Sequence, residues 1–162
     1  MNAAPDTPVV VAYDGSAEAQ AAVREAAALF GARRLLVVTV WERGLAAMAF
    51  APSPSETGLS YLPPDPAEVS ALDNAEQDHA SAVADAGVRL ARGLGATADA
   101  LPVPDEADVA ETIASIAEQR EAGAVVVGSR GLGGVKRHLL GSTSQRLLRR
   151  TNRPVLVVRA PD

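Results

Sequence analysis

Apolar positions along the chain fall into two alternating patterns. Short runs at 8–13, 35–41, 124–127 and 155–159 are nearly unbroken in Val, Leu and Ala, and 97–103 is a weaker one. Runs of this kind read as strands of a parallel sheet that is buried on both faces. Between them, apolar residues recur at helical spacing. Segment 17–30 is Ala-rich and puts Val23, Ala26, Ala27 and Phe30 on one side before Gly31 stops it. Segment 67–94 carries Val69, Leu72, Val83 and Leu90 and is closed by Gly93 and Gly95. Segment 108–121 turns Ile113, Ile116 and Ala117 inward and ends at Gly123. A last helix-like stretch, 145–150, is halted by Thr151-Asn152-Arg153-Pro154, because proline cannot continue a helix. Alternating strands and helices predict an α/β fold with a parallel sheet of five strands, and four helices on its two faces. No repeat or linker divides the chain, so a single domain over 1–162 is expected. Residues 42–66 hold Pro52, Pro54, Pro63, Pro64 and Pro66 and form a loop long enough to be a functional flap.

The connection after the fourth apolar run has a composition of its own. Gly128-Ser129-Arg130-Gly131 is followed by nine residues and then by Gly141-Ser142-Thr143-Ser144, where the last helix begins. A buried strand thus feeds a glycine-rich loop that ends at a helix N-terminus. Glycines let backbone N–H groups approach an oxyanion, and the first helical turn adds unbonded donors and positive dipole. Ser142, Thr143 and Ser144 supply three hydroxyls suited to capping the helix or to binding phosphate. If the first and fourth strands are neighbours, Asp14 and Gly128 end them side by side, where ligands bind in such sheets.

Composition narrows the choice. With 162 residues and 48% hydrophobic content the chain suits one core. No apolar run reaches the roughly 18 residues of a membrane span, and no signal peptide is expected from Met1 to Pro8. Cysteine is absent and histidine is limited to His79 and His138, which disfavours thiolate and multi-histidine metal sites and suits a cytoplasmic address. The net charge is −5, yet 122–161 has no Asp or Glu and holds eight of the 15 basic residues. The glycine loop is therefore expected in a locally positive segment, which fits a phosphate-rich small ligand. Bulk nucleic-acid binding fits poorly with the acidic remainder and 3% aromatic content. Within the segment, Lys136 or Arg137 could reach a terminal phosphate, although such side chains are more often simply solvated, and Arg146, Arg149 and Arg150 equally suit a solvated helix face.

The loop resembles that of the universal stress protein family, in its ATP-binding branch. The family signature is G-x-x-G, nine residues, then G-[ST]; Gly128, Gly131, Gly141 and Ser142 match it without departure. The resemblance covers essentially the whole chain. It implies a single doubly wound sheet with strand order 3-2-1-4-5. It implies that Asp14, in Asp14-Gly15-Ser16 after the first strand, lies near the ribose, phosphates or metal, and so is the expected Mg²⁺ ligand. It implies that the amides of Gly128, Gly131 and Gly141 and the hydroxyl of Ser142 hold the phosphates of ATP, helped by Thr143 and Ser144. Main-chain atoms of Val40 are the implied adenine contact; the residue before it, often histidine in the family, is Thr39 here. A homodimer through 155–159 is implied too, and an apolar edge strand needs covering on physical grounds as well.

Other classes are less favoured. The chain has no G-x-x-x-x-G-K-[ST], no G-x-G-x-x-G after the first strand and no G-x-S-x-G elbow. No nucleophile, base and orienting group come together. The expected function is an ATP-binding regulatory stress-response module read by an unidentified protein partner. The alternatives are a slow Mg²⁺-dependent ATPase or self-phosphorylating protein, and a nucleotide-free dimeric scaffold of the same family.

Overall fold

The computed structural model describes residues 7–42, 65–105, 108–131 and 140–160. In chain order the elements are β1 (Val9–Ala12), α1 (Ala17–Phe30), β2 (Leu35–Trp41), α2 (Pro66–Gly93), β3 (Ala98–Pro104), α3 (Val109–Gln119), β4 (Ala124–Gly128), α4 (Ser142–Arg150) and β5 (Val155–Val158). The strands form one sheet in the order β3-β2-β1-β4-β5, with every pair parallel. Fold class, strand order and the alternation of elements agree with the sequence reading. Among the described residues no helix is long and apolar enough to cross a membrane.

Strand alternation splits the interior into two cores. Val9, Val11 and Tyr13 face one side, where α1 and α2 supply Ala22, Val23, Val88 and Ala91. Val10 and Ala12 face the other, where α3 and α4 supply Ile113, Ile116, Ala117 and Leu147. A strand covered on both faces has no use for a polar alternate, which is why β1 and β4 read as unbroken apolar runs. The chain leaves β1 toward β2 on one side and returns to β4 on the other. That reversal opens a crevice beyond the C-terminal ends of β1 and β4.

Local chemistry sets the helix ends. Ser16 caps α1 by accepting from Ala19 N–H at 3.1 Å. Asp65 caps α2 by accepting from Ala67 N–H at 2.9 Å. Pro66, grouped with the loop by composition, is in fact the first residue of α2, where its missing N–H is not needed. The rest of the Pro-rich loop, 43–64, lies outside the described residues. The turn after α2 closes on Gly95, whose φ of +85° is the left-handed region that favours glycine. The two sheet edges differ. β3 carries Pro102 and Pro104, which blunt edge pairing, whereas β5 has no proline within it.

Two glycines of α2 should respond oppositely to the same change. A Cβ on Gly87 would stand 2.8 Å from Val37 Cγ1 and 3.0 Å from the Tyr13 ring, both held in the core, while Gly93 has open space. Gly87→Ala is expected to lower stability by about 1–3 kcal/mol through overpacking, despite alanine's better helix propensity. Gly93→Ala should raise it by up to about 1 kcal/mol. Urea unfolding midpoints decide the signs.

Candidate functional site

The end of β1 is fixed before it turns. Tyr13 N–H donates to Val38 O at 2.9 Å, and the buried Thr39 hydroxyl donates to Tyr13 O at 2.8 Å. Asp14 then starts a tight turn in which its Oδ1 accepts from Ser16 N–H at 2.9 Å and Gly15 takes a φ of +82°. This is an Asx-type turn feeding directly into the capped α1. The other carboxylate oxygen, Oδ2, lies against the glycine loop: a Cβ on Gly131 would be 2.7 Å from it.

Gly128 and Gly131 are therefore glycines for reasons of space, since neither has a positive φ. At Gly128 a Cβ would meet Glu18 Cβ at 2.8 Å and the Glu18 carbonyl carbon at 2.9 Å. The first turn of α1 thus packs directly on the backbone at the end of β4. Between the glycines, Ser129 N–H donates to Val158 O at 2.6 Å, and Ser129 O accepts from Gly141 N–H at 2.7 Å. These bonds tie the loop to β5 on one side and to the start of α4 on the other.

The start of α4 differs from the other helix starts. Ser16, Asp65 and Asp108 each close their own helix with a side chain, but α4 begins at Gly141, which makes no side-chain cap bond. Ser142 and Thr143 follow in the first turn, and neither hydroxyl has a described bond to its own helix. Ser144 is different: its buried hydroxyl donates toward Gly141 O at 3.0 Å and Ser129 O at 3.3 Å. That side chain pins the loop to the helix and leaves its backbone amide in the first turn, where N–H groups have no intrahelical partner.

These elements enclose a crevice of about 490 Å³, within the range of small-molecule sites. All eight residues named from sequence line it: Asp14, Val40, Gly128, Gly131, Gly141, Ser142, Thr143 and Ser144. Sequence reasoning missed the apolar half. Ala12, Val38 and Val127 form a floor, and Val109 and Ile113 of α3 form a wall. Ile113 was legible as a core position; that its helix flanks the crevice follows only from the packing of α3 on the sheet. Glu42, at the exit of β2, and Arg130 complete the rim. The space offers an apolar slot at one end and backbone donors at the other.

Charge is distributed less simply than the sequence suggested. The basic C-terminal segment meets acids brought from α1 and α3. Arg130 pairs with Glu18 at 2.9 Å, Arg146 with Asp108 at 3.4 Å, Arg153 with Glu118 at 3.0 Å, and Arg150 with Glu111. Among the described residues, four of the six basic side chains of this segment thus meet an acid from α1 or from α3 and its cap. Lys136, Arg137 and His138 lie outside the described residues. Asp108 has its carboxyl held below the ordinary 3.8, first by the Glu111 N–H, then by the Ala110 N–H and the arginines of α4. Burial, then the Asp14 carboxylate, pushes the Tyr13 phenol up.

The whole chain has known relatives. The model of the universal stress protein family matches residues 7–159. A universal stress protein of Thermus aquaticus is 35% identical over 153 residues, which is 93% of this chain and 97% of that one. Among solved structures, the universal stress protein UspA of Lactobacillus plantarum superposes with a TM-score of 0.72 at 23% identity, covering 98% of this chain and all of that one (100%), which shows the shared fold. A universal stress protein in complex with cAMP matches with a TM-score of 0.63 at 25% identity over 96% of this chain and 98% of that one.

Asp108 caps the helix that walls the crevice, so its charge should be visible in stability. Asp108→Asn keeps an acceptor for the two amides and removes the charge. A depressed carboxyl stabilises the folded state above its unfolded value and loses that contribution as pH falls through the folded one. The wild type should therefore have the higher urea midpoint at pH 7. The gap should close as pH drops below 3.8. A gap that is constant down to acid pH would contradict the assignment.

Proposed function

Because the chain belongs to the universal stress protein family, we propose that it is an ATP-binding regulatory protein that holds its nucleotide in the crevice between β1 and β4. One observation carries the reading: the uncapped first turn of α4 opens onto the same space as the glycine loop and the Asp14 carboxylate. Amides of Gly131, Ser142, Thr143 and Ser144, with the Ser142 and Thr143 hydroxyls, are the phosphate donors in this reading, while the Gly141 N–H, taken by Ser129 O, holds the loop to the start of α4. Backbone donors and helix dipole suit an oxyanion without a dedicated cation. Adenine fits the apolar slot against Val38 and Ile113, with the main chain of Val40 at its edge. The cAMP complex of a family member supports an adenine nucleotide as the ligand class.

Mg²⁺ enters with the nucleotide. Among the described residues no group of three His, Cys, Asp or Glu side chains is placed to hold a metal alone. Asp14 is the carboxylate at the phosphate end, and a single carboxylate plus substrate phosphates is a common Mg²⁺ arrangement. In this reading Asp14 would orient the ion, and the ion would offset phosphate charge. The regulatory output would be a nucleotide-dependent state of the protein read by a partner, which requires that the partner distinguish the two states.

We also propose a homodimer through β5. Val125 N–H donates to Pro154 O and Ser129 N–H donates to Val158 O, so the even-numbered residues of β5 face β4. In a parallel ladder the odd-numbered residues, Val155 and Val157, then point their backbone groups outward. With β3 blunted by proline, β5 is the edge left able to pair.

Calorimetric titration of nucleotide-stripped protein with ATP should give saturable binding that strengthens with Mg²⁺. Gly131→Ala should weaken it about tenfold or more, since the new Cβ displaces the Asp14 carboxylate, while the exposed position leaves the core intact and the variant folded by circular dichroism. Absence of wild-type binding would overturn the reading. For the dimer, light scattering at micromolar concentration should give twice the monomer mass, and Val157→Pro, which deletes an outward N–H, should give monomer. A monomeric wild type would overturn that part alone.

A further inference from the structure

Glu18 was singled out by nothing in the sequence, and it does not line the crevice. It sits in the first turn of α1, on the opposite face of the sheet from α3 and α4. Its carboxylate nevertheless makes the most buried ion pair among the described residues: the Glu18 side chain is 15% exposed and that of Arg130 24% exposed, with Arg130 Nη2 2.9 Å from Glu18 Oε1. Arg130 is the residue within the G-x-x-G turn whose side chain reaches back across the end of β4. The approach depends on Gly128, where any side chain would strike Glu18 Cβ and backbone.

We propose that Glu18 is a positioning residue for the phosphate loop: through Arg130 it anchors the 128–131 backbone so that the loop presents its amides to the nucleotide's phosphate end. Three separate contacts hold this turn. Ser129 is bonded to Val158 and Gly141, Gly131 rests on Asp14, and Arg130 is tethered to Glu18. The first two fix the turn's middle and far end. The third is the one that ties it to α1. An anion site built from amides depends on their direction, because each donor must aim at the same small volume. Glu18 is also favoured where it stands, since the first turn of a helix stabilises a carboxylate. The inference rests on the nucleotide reading above and adds a residue that touches no ligand.

The test separates positioning from charge by sign. Glu18→Ala keeps the Cβ that packs on Gly128 and removes the carboxylate. If Glu18 acted only as a nearby negative charge, its removal would strengthen binding of polyphosphates. As a positioning residue its removal weakens them. Calorimetric titrations with adenosine, AMP and ATP should show Glu18→Ala binding AMP and ATP about fivefold more weakly, with adenosine within about twofold of wild type. Arg130→Gln should show the same selective loss, and adding Glu18→Ala to it should cost nothing further, since both changes cut one tether. Far-UV circular dichroism and urea midpoints check that each variant folds; if Glu18→Ala does not, the isosteric Glu18→Gln, which keeps the packing on Gly128 and loses the ion pair, carries the test with the same selective loss of AMP and ATP. Tighter or unchanged ATP binding by Glu18→Ala, an equal loss for adenosine, or additive effects of the two changes would overturn the positioning role. Failure of the wild type to bind any of the three ligands would overturn the nucleotide reading itself, and this inference with it.

Discussion

Parallel pairing of β1 with β4 is the constraint on which the site depends. Val9, Val10 and Val11 lie in register with Ala124, Val125 and Val126. That register brings Tyr13-Asp14 and Gly128–Gly131, far apart in sequence, to the same end of the sheet. The strands are buried on both faces, so a slip by one residue would turn every valine to the wrong core. Once register is set, α1 must start beside the end of β4. Its first turn then presses on Gly128, and Asp14 comes to rest against Gly131. The glycine pattern is thus as much a record of packing as of ligand approach, and one geometry serves both.

Backbone carries more of the proposed chemistry than side-chain charge does. Arg146, Arg150 and Arg153 are turned toward α3, and Arg130 toward α1. What faces the crevice is a helix start without a side-chain cap, flanked by a carboxylate suited to a divalent ion. In the proposed reading, amide donors of this kind would hold a phosphate without fixing its net charge. In the same reading, selectivity for the base would fall to the apolar slot between β2 and α3, lined by Val38, Val40 and Ile113.

Much of this was legible in the residues themselves. Valine runs marked the strands, glycine and proline marked most helix ends, and the spacing of Gly128, Gly131 and Gly141 marked the loop. Pro66 was misplaced by composition, because a proline reads as loop unless the capping Asp65 is weighed with it. Ser142, Thr143 and Ser144 read alike as hydroxyls for helix capping or phosphate, and the fold separates Ser144, whose hydroxyl is directed to Ser129 O and Gly141 O. Nothing in a sequence distinguishes three consecutive hydroxyls until the helix fixes which one turns inward. The positive segment around the loop was likewise overstated, since its counter-charges arrive from α1 and α3 only on folding. Glu18, Thr39 and the α3 wall were invisible as parts of the site for the same reason: each acts through tertiary contact alone.

The central claim is that phosphate sits on the backbone of the glycine loop and the first turn of α4. The most direct measurement is a ¹⁵N–¹H correlation titration of the labelled protein with ATP and Mg²⁺. The account predicts that the largest, saturable amide shifts fall on Gly131, Ser142, Thr143 and Ser144. Shifts centred instead on exposed Arg149 or Arg159, with those four amides unmoved, would contradict it.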